Sequence, residues 1–105
     1  MRPALALALA ASCTLALAAD PPPGPPSRTQ TCATCHGPRG ISVAPDAPNI
    51  AGQPQIYLAA QLQAFRDGRR LHPVMNLIAK GLSDQDIEQL SAWYSSIAIE
   101  AHAPR

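Results

Sequence analysis

An all-α fold is predicted by three observations on this 105-residue chain. Apolar residues recur at steps of three and four in two segments, Tyr57-Leu58-Leu62-Phe65 and Ile87-Leu90-Tyr94-Ile97, the spacing that puts them on one helix face. No run alternates apolar with polar residues as a half-buried strand does. Helix punctuation surrounds both segments, with Pro54 and Gly68 flanking the first and Ser83 preceding the second. With no internal repeat and a length suited to one domain, three to four short helices are expected.

The N-terminus reads as an export signal. Arg2 supplies a short positive region, Ala4 to Ala18 is almost entirely Ala and Leu, and Ala16-Leu17-Ala18 fits a small-residue cleavage site. Residues 1–19 are expected to be removed as a signal peptide, taking Cys13 with them. The apolar run is marginal against the ~20 residues of a membrane span, so an uncleaved anchor is the alternative, and membrane association is expected only in that case. Residues 20–27 form a linker, because Pro21-Pro22-Pro23-Gly24-Pro25-Pro26 favours extended polyproline structure and cannot form a helix. The domain itself is expected over residues 28–100, with 101–105 as a short tail.

Within the domain, Ser27 is placed to cap a short first helix running into Cys32 and Cys35. Gly37 and Gly40 allow a tight positive-φ turn, and Pro45, Pro48 and Gly52 mark an extended loop. Pro54 suits the first turn of the next helix, on which Tyr57 and Phe65 are expected to pack in the core. A third helix is predicted from Pro73 to Lys80, stopped by Gly81. Ser83 caps the last, with Asp84 and Asp86 placed for its dipole, and that helix is expected to fray near Glu100.

Loss of residues 1–19 removes Arg2 and leaves seven basic against seven acidic side chains. A neutral chain without clustered basic charge has no nucleic-acid footprint. A domain this small buries too little apolar surface to be comfortably stable alone. Its four aromatics, Tyr57, Phe65, Trp93 and Tyr94, are few for a self-sufficient core. Something other than protein is expected at the centre.

The stretch Cys32-Ala33-Thr34-Cys35-His36 says what that is. C-x-x-C-H is the attachment signature of c-type haem. On a helical turn the three-residue spacing puts both sulfurs on one side, ready to bond the two vinyl groups of one haem. The adjacent imidazole then becomes an axial iron ligand. Three rival readings are weaker. A thioredoxin-like pair needs a βαβ pattern, half a zinc site needs two more ligands, and the third rival is a plain disulfide. Export agrees with haem attachment, which takes place on the periplasmic side of the bacterial membrane. One haem c, covalent through Cys32 and Cys35, is the expected cofactor.

The second axial position decides function. Met75, 39 residues after His36, is the expected ligand; a lone Met is ordinarily core filler, but this context raises it. His72 is the rival and is read as a solvent-exposed surface residue. His102, near the fraying C-terminus, is a poor candidate. A soft thioether favours ferrous iron, and a site filled by His and Met leaves no position for a substrate. The expected function is therefore one-electron transfer between redox proteins in the periplasm, by a monomer that is not an enzyme. Two other classes compete: a sensor or peroxidase-like domain with an open sixth site, and a cytochrome subunit of a larger dehydrogenase or oxidase complex. Docking is expected through an apolar rim at the haem edge with modest salt dependence. Arg69 and Arg70 are read either as propionate partners or as a solvated basic turn.

These motifs, with Pro48-Asn49-Ile50-Ala51-Gly52-Gln53, Gln61-Leu62, Phe65-Arg66-Asp67-Gly68, Leu82-Ser83-Asp84-Gln85-Asp86-Ile87 and Trp93-Tyr94, run in one order over residues 30 to 98. In that order the sequence resembles the small class I cytochromes c, of the c-553 type and of the single-haem halves of related dihaem periplasmic cytochromes. The resemblance implies a helical fold around one haem, thioether links at Cys32 and Cys35, and His36 and Met75 as axial ligands. It also implies that the Pro48 carbonyl accepts a hydrogen bond from the His36 ring, and that the terminal helices cross with Tyr94 or Trp93 at the contact. The first helix departs from the pattern: Pro25-Pro26 leaves it unusually short, which weakens the expected crossing.

Overall fold

The structure is a computed structural model that describes residues 24–104. The expected signal peptide, and linker residues 20–23, lie outside the described residues. Four helices follow one another: α1 (Thr29–His36), α2 (Gln55–Asp67), α3 (Pro73–Lys80) and α4 (Asp84–Ser96). Among the described residues there is no strand, and no helix is long and apolar enough to cross a membrane.

The helix boundaries follow from local chemistry. Pro54 sits at the N-cap of α2. Gly68 ends that helix in the left-handed conformation, φ 76°, with its N–H returned to Ala64 and Phe65. α3 runs over the predicted residues, with Pro73 in its first turn. Ser83 and Asp86 close a capping box on α4, each side chain bonded to the other's backbone N–H. The Ser83 hydrogen bond, chiefly, holds the Asp86 carboxyl below its ordinary value. The first helix differs from expectation. Arg28, not Ser27, is its N-cap, and no side chain caps it. Thr29 instead donates its hydroxyl to the Pro26 carbonyl at 2.7 Å.

α2 packs against both α3 and α4. Leu58, Leu82, Ile87, Leu90 and Tyr94 form the buried cluster, with Ile50, Leu62, Trp93 and Ile97 around it. Burying each of these large aliphatics is worth about 1.5–3 kcal/mol. α1 reaches the cluster through Cys32, and an Arg28–Asp86 pair at 3.7 Å links it to α4. The helix pair at the centre is thus α2 with α4, and the short α1 meets Tyr94 locally. Arg66 ties the end of α2 to the start of α4, donating to the Leu82 carbonyl and, at 2.7 Å, to the Asp84 carboxylate. Tyr57 corrects the sequence reading: it is 47% exposed and does not join the core, whereas Phe65 is buried as expected.

Candidate haem site

Cys32, Cys35 and His36 all lie on the last two turns of α1, and both cysteines are free thiols. Their spacing puts both sulfurs on one helix side. Burial pushes the Cys32 thiol above its ordinary pKa. Burial, first, and then the neighbouring Cys32 push the Tyr94 phenol up as well. The Tyr94 hydroxyl is buried without a hydrogen-bond partner.

His36 is buried, and its Nδ1 lies 2.7 Å from the Pro48 carbonyl oxygen. A carbonyl only accepts, so Nδ1 carries the proton and Nε2 is left with a free lone pair for iron. The loop that brings Pro48 there is tightly specified. Gly37 has φ 80°, and a Cβ on it would collide with the Ile41 carbonyl. Gly40 has φ 74°, and a Cβ there would press on the Ala51 backbone and the Tyr94 ring. The Gly40 carbonyl accepts from Ile50 N–H (2.8 Å) and Ala51 N–H (3.0 Å). Asn49 accepts from Ser42 N–H at 2.7 Å, and the Ser42 hydroxyl donates within the same loop to the Ala44 carbonyl.

A cavity of about 430 Å³ opens beside this wall. Cys32, Cys35, His36 and Pro48 line it together with Leu62 and Phe65 from α2 and Val74, Met75 and Ile78 from α3. A hollow of about 50 Å³, lined among others by Cys32, His36, Met75, Leu90 and Tyr94, adjoins it. The volume suits a cofactor pocket, and the lining is mostly apolar. Two free thiols, an oriented imidazole and a thioether meet at one apolar cavity, a donor set that fits haem c. Among the described residues no group of three or more His, Cys, Asp and Glu side chains offers a metal site of another kind.

All five residues proposed from sequence, Cys32, Cys35, His36, Pro48 and Met75, therefore line one cavity. His72 also lines it, and here the sequence reading is corrected. His72 is half-buried rather than a surface residue, and its Nδ1 accepts the N–H groups of Val74 and Met75, both at 3.2 Å. His102 is exposed beside Glu100 and is not part of the lining. Arg69 and Arg70 separate. Arg70 lines the cavity, with its guanidinium 4.6 Å from the centre of the Phe65 ring and a 2.7 Å hydrogen bond to Gln61. Arg69 pairs with Asp67 at the surface. Sequence reasoning missed Asn76, which donates to the Phe65 and Arg70 carbonyls and accepts from His72 N–H. Its signal was available: it is a lone uncharged polar residue in the otherwise apolar run Pro73-Val74-Met75-Asn76-Leu77-Ile78-Ala79.

Comparison with known proteins identifies the family. The family model "Cytochrome c" matches residues 27–98. Cytochrome c-554(548) of Halomonas halodenitrificans is 45% identical over 69 residues, covering 63% of this chain and 83% of that protein. A protein named thiosulfate dehydrogenase electron acceptor, from Thiomonas intermedia, is 40% identical over 73 residues, covering 69% of this chain and 34% of its own. Among solved structures, cytochrome c4 of Acidithiobacillus ferrooxidans superposes with a TM-score of 0.60 at 36% identity, over 63% of this chain and 38% of that one. The chain thus spans little more than a third of these last two relatives. Family match, fold and donor set converge: the chain belongs to the cytochrome c family, as a small all-α class I domain that carries electrons on one haem c held covalently through Cys32 and Cys35.

Proposed function

We propose that this chain is a periplasmic one-electron carrier in which His36 and Met75 would both hold the iron of a single haem. The observation that carries the reading is that Met75, from α3, lines the same cavity as Cys32, Cys35 and His36. Bound there, haem c supplies an iron that changes by one electron. The residues do the rest. Cys32 and Cys35 retain the cofactor through repeated encounters. Pro48 fixes the His36 ring and raises its basicity as a ligand. Met75 would favour the ferrous state, and with both residues on the iron no position would be left for substrate. Leu62, Phe65 and Ile78 keep water from the site. Arg70 is the basic group for a haem propionate; replacing it with Gln is expected to shift the midpoint potential, and an unchanged potential dismisses that role.

The Ala/Leu run and the cleavage-like Ala16-Leu17-Ala18 support export with removal of residues 1–19, which N-terminal sequencing of the matured protein tests. Partners are redox proteins docking on the cavity, which the half-exposed Val74 lines, with Leu71, three residues earlier in the chain, exposed as well. A steep ionic-strength dependence of the electron-transfer rate argues against such apolar docking. The likeness to a dehydrogenase's electron acceptor makes a dehydrogenase one candidate donor, and a subunit role in such a complex is the second reading; co-purification with a partner enzyme favours it.

The oxidised absorption spectrum tests the ligation. A weak near-infrared band of methionine on ferric haem is expected, and it should vanish in Met75→Ala. A high-spin spectrum without the band overturns the carrier reading in favour of an open sixth site. A low-spin spectrum without it points to His72, which would have to give up its Nδ1 bonds to the Val74 and Met75 amides, because an accepting Nδ1 leaves the ring proton on Nε2.

A further inference from the structure

We propose that His72 and Asn76 form a positioning pair whose job is to hold Met75 on the iron. The proposal rests on the reading of Met75 as axial ligand and adds what keeps it there.

The two residues close over the first turn of α3 from both sides. His72 is the extended N-cap of the helix, φ −159° and ψ 127°. Its Nδ1 accepts from two of the orphan amides of that turn, one of them Met75's own N–H. In return, Asn76 Oδ1 accepts the His72 backbone N–H at 2.7 Å. The result differs from the Ser83–Asp86 box on α4: the His72 side chain holds the Val74 and Met75 amides, and Asn76, four residues after the N-cap, holds the His72 amide. Asn76 then goes further. Its Nδ2 donates to the Phe65 carbonyl at 2.7 Å and the Arg70 carbonyl at 2.9 Å, fastening the turn to the C-terminal end of α2. The His72 ring meets the edge of Phe65, with centroids 6.5 Å apart and planes at 77°. Phe65 is itself buried and lines the haem cavity. The Met75 backbone is thereby held between two side chains that are bonded to each other's segment and to the neighbouring helix.

The ligand chemistry gives this a purpose. A thioether is a soft, neutral, exchangeable ligand, unlike the two thioether links to carbon. Whether it stays depends on what the chain loses when the turn swings away. An eight-residue helix is marginal by itself, so side-chain bonds decide whether its first turn stays in place. Releasing the turn breaks five of them and leaves the Phe65 and Arg70 carbonyls without the Asn76 donor.

The test is displacement of Met75 by free imidazole in the matured holoprotein at neutral pH, followed by loss of the near-infrared band. His72→Ala and Asn76→Ala are each expected to tighten apparent imidazole binding about tenfold, the equivalent of one or two lost bonds. His72→Asn, a neutral side chain that is a strong N-cap, is expected to return it near the wild-type value. Ser83→Ala removes the matching cap from α4 and is expected to lower the melting temperature while leaving imidazole affinity within about twofold. Imidazole affinities of His72→Ala and Asn76→Ala within about twofold of wild type overturn the proposal, as does an equal change in Ser83→Ala, which marks a general stability effect. Should Asn76→Ala fail to accumulate, the two His72 variants decide alone. Absence of the band in the wild type overturns the Met75 reading itself, and with it this proposal; a band present with indifferent variants removes only the positioning role.

Discussion

The two walls of the haem cavity are built on different principles. The His36 wall is one short helix with two covalent anchor points, followed by a loop whose shape is dictated by backbone: Gly37 and Gly40 at positive φ, and the Gly40 carbonyl shared by Ile50 and Ala51. The Met75 wall is another short helix, with no covalent link to the cofactor, and its shape is dictated by side chains: His72, Asn76 and the ring of Phe65. Where the chain is bonded to the cofactor, only orientation remains to be fixed, and the one His36–Pro48 hydrogen bond fixes it. Where the ligand is exchangeable, the protein must hold it without help, and does so with several bonds.

This contrast predicts different sensitivities. The largest effect is expected from Gly37→Ala, on the backbone-dictated wall. The added methyl meets the Ile41 carbonyl at φ 80°, and a loss of about 3 kcal/mol is expected, read by denaturant unfolding of the holoprotein. Asn49→Ala should cost the same wall about 1 kcal/mol by freeing Ser42 N–H. Its near-infrared Met band should persist; a lost band there means the walls are coupled more tightly than their separate construction suggests. The α4 box belongs to neither wall and offers a pH handle. The Asp86 carboxyl has a folded-state pKa below its unfolded value, so its contribution is present above the unfolded pKa of about 4 and is lost as pH falls through the depressed value. Asp86→Asn should therefore be less stable than wild type near neutrality, with the gap closing below about pH 4. The smallest effect is expected from Arg69→Gln. Its pairing with Asp67 is exposed, and a change under about 0.5 kcal/mol with no shift in potential should set it apart from Arg70.

The same contrast explains what could be read from the sequence. The His36 wall was legible because its parts are residue types with narrow uses: a C-x-x-C-H string, glycines that must take positive φ, and a proline-marked loop. Helices α2 to α4 were legible from periodicity and from Pro, Gly and Ser punctuation, and Met75 from its lone occurrence downstream of His36. The Met75 wall's supports were not. A histidine before Pro73 reads as an exposed polar residue, because an imidazole is a rare N-cap and nothing local announces one. Asn76 stands out as the one polar residue of an apolar run, but it acts on the carbonyls of Phe65 and Arg70, eleven and six residues away, and such bonds have no pattern in one dimension. Ser27 does not cap because the helix starts one residue later, with Arg28 at the N-cap, and Thr29 bonds back to the Pro26 carbonyl through both its N–H and its hydroxyl. Tyr57 lies one position round α2 from Leu58, off the stripe of Leu58, Leu62 and Phe65 that faces the core and the cavity, and so it remains 47% exposed.

In the folded chain the Cys32 sulfur faces two ways: it lines the haem cavity, and it packs against the Leu58–Tyr94 cluster, where burial raises the thiol's pKa. A thiol reacts as its thiolate, so the folded chain is a poorer substrate for attachment at this position than an extended one. Once bonded, the same sulfur joins the cofactor directly to the packing between α2 and α4, and the anchor of the haem becomes a piece of the hydrophobic interior.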